Sequence, residues 1–197
     1  MFETPDDLHG LQVLLDTSWA GSSSHLKSII RPGERTLDAE QVVRVCQGMC
    51  TLAIATVTRR GEPRISGADG HLLHGRWIIG THRRAAKARH LAARPGISAT
   101  FMRGEQLGIF THGQAVVLNP EDARSDPSWL AVHDYLVNHY GDDDDGPGWD
   151  ECIWYRIDPS WMVAYSVDPS GCSTNNHQSD ESSRGPTSGR HSEASRG

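Results

Sequence analysis

The chain has 197 residues, enough for one domain of ordinary size, and a formal net charge of -6. That acidic balance argues against a nucleic-acid binder, and no apolar run approaches the roughly 20 residues that span a bilayer. Only 37% of the residues are apolar, and the deficit falls at the ends of the chain.

The first residues carry Glu3, Asp6 and Asp7 and no apolar stretch of the secretory kind. Four cysteines, Cys46, Cys50, Cys152 and Cys172, form no Cys-x-x-Cys pair and no zinc-type spacing. These features predict a cytoplasmic protein with free thiols.

In chain order, residues 5–17 read as a helix, because Leu8, Leu11, Leu14 and Leu15 recur at spacings of three and four. Gly21 to Ser24 breaks that pattern. Leu37 to Gln47 reads as a second helix, with Asp38 and Glu40 at the end where the helix dipole favours negative charge. Cys46 and Cys50 then fall one helical turn apart and read as small apolar groups. Thr51 to Val57 is continuously apolar and predicts a central strand, Gly61 turns the chain, and residues 63–74 return as a second strand. Gly75 leads into a third strand, Arg76 to His82.

A short basic helix follows, Arg83 to Ala93, stopped by Pro95. Arg83 and Arg84 lie four and three residues from Lys87, which clusters their charge. Residues 97–102 and 105–118 predict a hairpin. Asn119-Pro120-Glu121 opens a helical segment whose main part is Pro127 to Tyr140. Asp142 to Asp145, flanked by glycines and Pro147, reads as a solvated loop because it lacks the alternating ligands and distal Glu of a calcium loop. Glu151 to Asp158 and Ser160 to Val167 close the sheet through an Asp158-Pro159 turn. From Ser170 on there is no aromatic residue, and the segment reads as disordered. The sum is a mainly β fold of six to seven strands with peripheral helices. Its domains are a helical extension over 1–35, a barrel over 36–168 and a disordered tail over 169–197.

His112 reads as a core or interface histidine. His71 and His74, three apart on a strand, fall on opposite faces and cannot share a metal. His133, Asp134 and His139 do not match a zincin spacing and read as solvent-exposed. The tryptophans Trp129, Trp149, Trp154 and Trp161 read as core or interface anchors, with Trp161 and Tyr165 the pair suited to a ligand wall. No nucleophile elbow, paired-carboxylate site or phosphate-binding glycine loop is present, so any chemistry would be carried by a cofactor.

Several segments, in this order, resemble the pyridoxamine 5'-phosphate oxidase-like family of flavin-binding split β-barrels. They are Leu52 to Val57, Gly61-Glu62-Pro63-Arg64, Ile79-Gly80-Thr81, Lys87-Ala88-Arg89-His90-Leu91, Arg94 to Ser98 and Thr111 to Val117. The resemblance implies a homodimer with cofactor in two clefts between subunits. It implies an FMN- or deazaflavin-dependent oxidoreductase acting on a small molecule, with haem the less favoured ligand. The alternative is a non-catalytic module that carries or senses haem, a tetrapyrrole or a flavin.

The family's phosphate-gripping Ser-Arg-Lys aligns with Ala85-Ala86-Lys87, so Lys87 is the first candidate for a phosphate contact. Arg83, Arg84 and Arg89 are candidates to replace the missing arginine. Arg64, Ile65 and Ser66 match the strand whose backbone faces the ring, and Gly80 and Thr81 match the strand end on the phosphate side. No metal ligand set and no catalytic residue is assigned.

Overall fold

The computed structural model describes residues 2–120, 127–141, 149 and 151–173. The Asp142–Asp145 run, Glu121 and residues 174–197 lie outside them. The elements are α1 (Pro5–Ala20), α2 (Ser24–Ile29), α3 (Ala39–Val45), β1 (Met49–Val57), β2 (Pro63–Leu73), β3 (Arg76–His82), α4 (Ala86–Ala93), β4 (Gly96–Arg103), β5 (Leu107–Val117), α5 (Pro127–Tyr140) and β6 (Cys152–Ser166). The strands close into one antiparallel barrel in the order β1-β2-β3-β6-β5-β4.

Period-two alternation fills the barrel. Leu52, Ile54, Trp77, Ile79, Ile109, Ile157 and Met162 point inward and are almost wholly buried. β1 is not buried on both faces, as its apolar run suggested: Met49, Thr51 and Ala53 face outward and are exposed. The run looks continuous because small and β-branched residues occupy the outer positions. A second, external core lies under α5, where Trp129, Val132 and Leu136 cover Leu73, Ile78, Leu118 and Trp154.

Two sequence expectations are corrected by local chemistry. Asp158-Pro159 is not a turn; β6 runs unbroken past it, giving six strands among the described residues. The ladder shifts register between His112 and Gly113, opposite Pro159 and Trp161. This is how a strand accommodates a proline that cannot donate to the ladder. Gly113 is required there, because a Cβ would stand 2.2 Å from the Asp158 carbonyl oxygen. Cys46 and Cys50 do not share a helix. Cys46 caps α3 and Cys50 lies on β1, both buried.

Other boundaries moved less. α1 runs to Ala20, and α2, capped by Ser23, was not foreseen. α3 and α4 are shorter than their patterns. Asn119 and Pro120 are not helical; the Asn119 side chain instead bridges β6, donating to the Cys152 carbonyl at 3.1 Å and accepting from the Trp154 N–H at 2.8 Å. Pro169 to Ser173 pack on α3: Gln41 donates to the Pro169 carbonyl at 3.0 Å and Arg44 to that of Cys172 at 3.1 Å.

The β2–β3 hairpin turns through His74 and Gly75, both at positive φ (52° and 67°), the pairing a tight two-residue hairpin demands. His74 Nδ1 lies 2.8 Å from Asp7 Oδ2 and ties this turn to the start of α1.

One strand pairing is incomplete. β2 pairs with β1 over its length from Pro63 to His71, but with β3 only from Gly70 to Leu73. β3 instead continues along β6 from Ile78 to His82. The barrel is therefore split on the outer edge of β2 between Pro63 and Asp69, and α4 sits against this opening.

Candidate functional site

α4 starts in an unusual way. α1 and α3 begin with capping boxes, built on Thr4 with Asp7 and on Asp38 with Gln41, and both have acids in the first turn. α4 has Ala85 at the N-cap, no side-chain cap and no acid in its first turn. The amides of Ala86, Lys87 and Ala88 are the orphan donors of that turn. Arg83 and Arg84 precede them and Lys87 lies among them. The positive end of the helix dipole thus has further positive residues beside it in the chain, Arg84 and Lys87, which an isolated helix disfavours.

Lys87 reaches from this turn to the split. Its Nζ donates to the Gly67 carbonyl on the unpaired edge of β2. Burial pushes the Lys87 ammonium below its ordinary value, and the nearby Asp69 carboxylate works in the opposite direction. Since the Gly67 backbone faces away from β1, strand alternation turns the backbone groups of Ile65 and Asp69 the same way. Ile65 itself is 78% exposed, the most solvent-open large apolar side chain among the described residues.

The other sequence candidates fall into two groups. Arg84, Arg89 and Ser66 stay near this corner in chain and fold. The Arg89 guanidinium turns back onto the Arg84 carbonyl at 2.6 Å, and Ser66 is half-buried on β2. Arg83 is directed elsewhere: its Nη2 donates to the Asn119 carbonyl at 3.2 Å, and its backbone N–H to Glu151 at 2.8 Å. Arg64 pairs with Glu62 at 2.7 Å on the exposed strand. Gly80 lies beneath Trp154, where a Cβ would come within 2.7 Å of the indole. Its smallness serves ring packing on the outer face of β3. Thr81 is half-buried and pairs with Ile153 on β6.

Two neighbours were not singled out from the sequence. Asp69 is two residues from Gly67, so strand alternation alone would have put it on the same edge. His90 is one turn after Lys87, and its Nδ1 lies 2.9 Å from the buried Thr56 hydroxyl on β1. Together with Arg94, whose Nε donates to the Val57 carbonyl at 3.1 Å, it anchors α4 to the barrel.

The remaining aromatic and histidine positions are distributed as follows. Trp161 stacks on His112 (4.9 Å, 20°) and Tyr165 on Phe110 (6.3 Å, 15°), along the outer face of β5 and β6. His112 is exposed, with Nδ1 2.8 Å from the Ser98 hydroxyl. His71 lies on β2 and is fully buried, whereas His74 is not on the strand as expected but in the β2–β3 turn, and is exposed. His139 is exposed, but His133 is half-buried, packed edge-on between Trp129 and Trp149. Among the described residues no group of three or more metal-ligating side chains converges, and no helix is long and apolar enough to cross a membrane.

No family model matches the chain, and no curated protein sequence does. Solved structures do. The haem storage protein HutZ of Vibrio cholerae superposes with a TM-score of 0.53 at 19% identity, covering 64% of this chain and 92% of that one. A conserved hypothetical protein of Mycobacterium tuberculosis superposes with a TM-score of 0.50 at 15% identity, covering 71% and 91%. A protein of unknown function from Agrobacterium tumefaciens gives 0.50 at 18% identity, covering 64% and 56%. The fold is the split β-barrel of the pyridoxamine 5'-phosphate oxidase-like proteins. At these identities the likeness to the split barrels is one of fold, and the chemistry has to be argued from α4 and β2.

Proposed function

We propose that the chain binds FMN or a deazaflavin coenzyme at the split and acts as an oxidoreductase on a small molecule. The observation that carries this reading is the start of α4: orphan N–H donors, no cap, no acid, and a partly buried Lys87 beside them. Such an arrangement is unfavourable until an anion arrives. A phosphate would accept from the amides of Ala86 to Ala88 and from Lys87, with Arg84 and Arg89 close enough in the chain to add charge. The flat ring would lie along the free edge of β2, where the backbone of Ile65 and Gly67 faces outward and no β3 strand competes. A bound flavin or deazaflavin supplies hydride or electron transfer; the chain supplies grip, orientation and the edge that excludes water from one side of the ring.

The same reading takes in a second copy of the chain. Met49, Met102 and Val116 are exposed on the outside of the barrel, with Ile65 at the split. A homodimer joined across that surface would cover them and wall the cofactor cleft. Sedimentation and cofactor stoichiometry test this.

The decisive experiment is reconstitution of the purified chain with FMN, with the deazaflavin coenzyme and with haemin, followed by absorption spectroscopy and reduction by a nicotinamide. A flavin or deazaflavin spectrum that bleaches on reduction and recovers with an electron acceptor supports the oxidoreductase. A haem spectrum alone would replace it with the carrier reading.

A further inference from the structure

A second site, remote from α4, lies where the N-terminal helices fold over the barrel. A cleft of about 470 Å³ opens between α1, the segment 32–41 and the outer face of β6, a volume within the usual range for small-ligand sites. Its floor is apolar, made by Leu15, Leu37 and Val163, and Trp19 forms one wall. The Trp19 ring is fixed in place: its indole N–H donates to the Ile30 carbonyl at 2.9 Å.

The charge of the cleft has one sign. Among the described residues, Asp16 and Asp38 line it, and no lysine, arginine or histidine does. The neighbouring polar groups are already engaged. Gln12 accepts from the Ala39 N–H and donates to Asp16 Oδ1, both at 2.9 Å. Gln41 donates to the Pro169 carbonyl at 3.0 Å, and its N–H donates to Asp38 Oδ1 at 2.8 Å. Among the described residues, nothing donates to the second oxygen of either carboxylate. The Lys27 ammonium lies 5.2 Å from the centroid of the Trp19 ring and is directed to the Ala20 carbonyl at 2.7 Å.

We propose that this cleft binds a small organic cation, an amine or amidine on an apolar or aromatic body. The apolar part would rest on Leu37, Val163 and the Trp19 ring. The cationic group would take the two free carboxylate oxygens. The site is independent of the cofactor reading.

Calorimetric titration of the full chain with 4-phenylbutylamine, 4-phenylbutanol and 4-phenylbutyrate tests it. These share one body and differ in charge. The amine is expected to bind at least about fivefold more tightly than the alcohol, the scale of one well-placed surface ion pair, and the carboxylate more weakly than either. The double variant Asp16→Asn/Asp38→Asn keeps both Oδ1 acceptors, and Asn is as good an N-cap as Asp. It should lower the amine to the affinity of the alcohol and leave the alcohol unchanged. Lys87→Ala should change none of the three. Equal binding of all three compounds, binding of none, an amine preference that survives the double variant, or one that Lys87→Ala removes would each overturn the proposal.

Discussion

Acid should unfold this protein earlier than its carboxylates alone require, through His71. This side chain is fully buried beneath α5, with Nδ1 3.0 Å from the Tyr135 hydroxyl and Nε2 2.8 Å from that of Tyr140. A neutral imidazole satisfies both contacts, donating through one nitrogen and accepting at the other. Burial, with the nearby His139 adding to it, lowers the His71 pKa from 6.5 to about 4. The folded value lies below the unfolded one, so between them the unfolded chain binds a proton that the folded chain refuses. Stability therefore falls as pH drops from about 6.5 to about 4. Linkage with those two values gives a loss of about 2 kcal/mol by pH 5 and about 3 kcal/mol by pH 4. Urea unfolding followed by circular dichroism at pH 7, 6 and 5 measures it. Because other groups titrate too, the informative quantity is the difference between the native chain and His71→Gln. The variant should be less stable at pH 7, having left the tyrosine hydroxyls poorly matched, but its stability should fall less steeply with acid. Parallel pH profiles for the two proteins would refute the reasoning.

Three further outcomes follow from particular contacts. Gly80→Ala should cost roughly 1–3 kcal/mol by calorimetry, since its Cβ would press on the Trp154 ring, whereas Gly67→Ala, with open space around it, should change stability by less than about 0.5 kcal/mol. Asp158 is held below the ordinary carboxylate range by hydrogen bonds from Arg156, with Arg76 adding to them. Its contribution is thus present above about pH 4 and lost as pH falls further, so Asp158→Asn should cost about 1 kcal/mol at pH 7 in urea melts and progressively less as the pH drops below about 4. Asp69→Asn should raise FMN affinity about threefold in a fluorescence titration, by removing a carboxylate that opposes an anion beside Lys87.

The sequence reading reached the barrel because its alternation, glycines and turn residues are local signals. The order strand, turn, strand, basic helix, strand placed the basic helix at the barrel's rim, and the family resemblance singled out Lys87 on it. What it could not reach was decided by partners distant in the chain. Pro159 looked like a turn because the glycine that absorbs it, Gly113, stands on another strand. Gly80 looked like room for a ligand, yet Trp154 occupies that room. Arg83, Arg84 and Lys87 read as one cluster by spacing, but Arg83 turns to Asn119 while Lys87 turns to Gly67. The missing cap of α4 was not legible, because the pattern began the helix at Arg83 and left Ala85 inside it; the structure starts α4 at Ala86.

Cofactor binding by this chain requires an anion to dock between α4 and the unpaired edge of β2. The measurement that probes this most directly is the dissociation constant of FMN, and of the deazaflavin coenzyme, for the native chain and for Lys87→Ala, with melting temperature recorded to show that both are folded. A loss of one charge-assisted contact in a partly buried site predicts weakening by about tenfold or more, and a smaller effect of added salt on the variant. Equal affinity in the two proteins, or no affinity for either cofactor in the native chain, would contradict it.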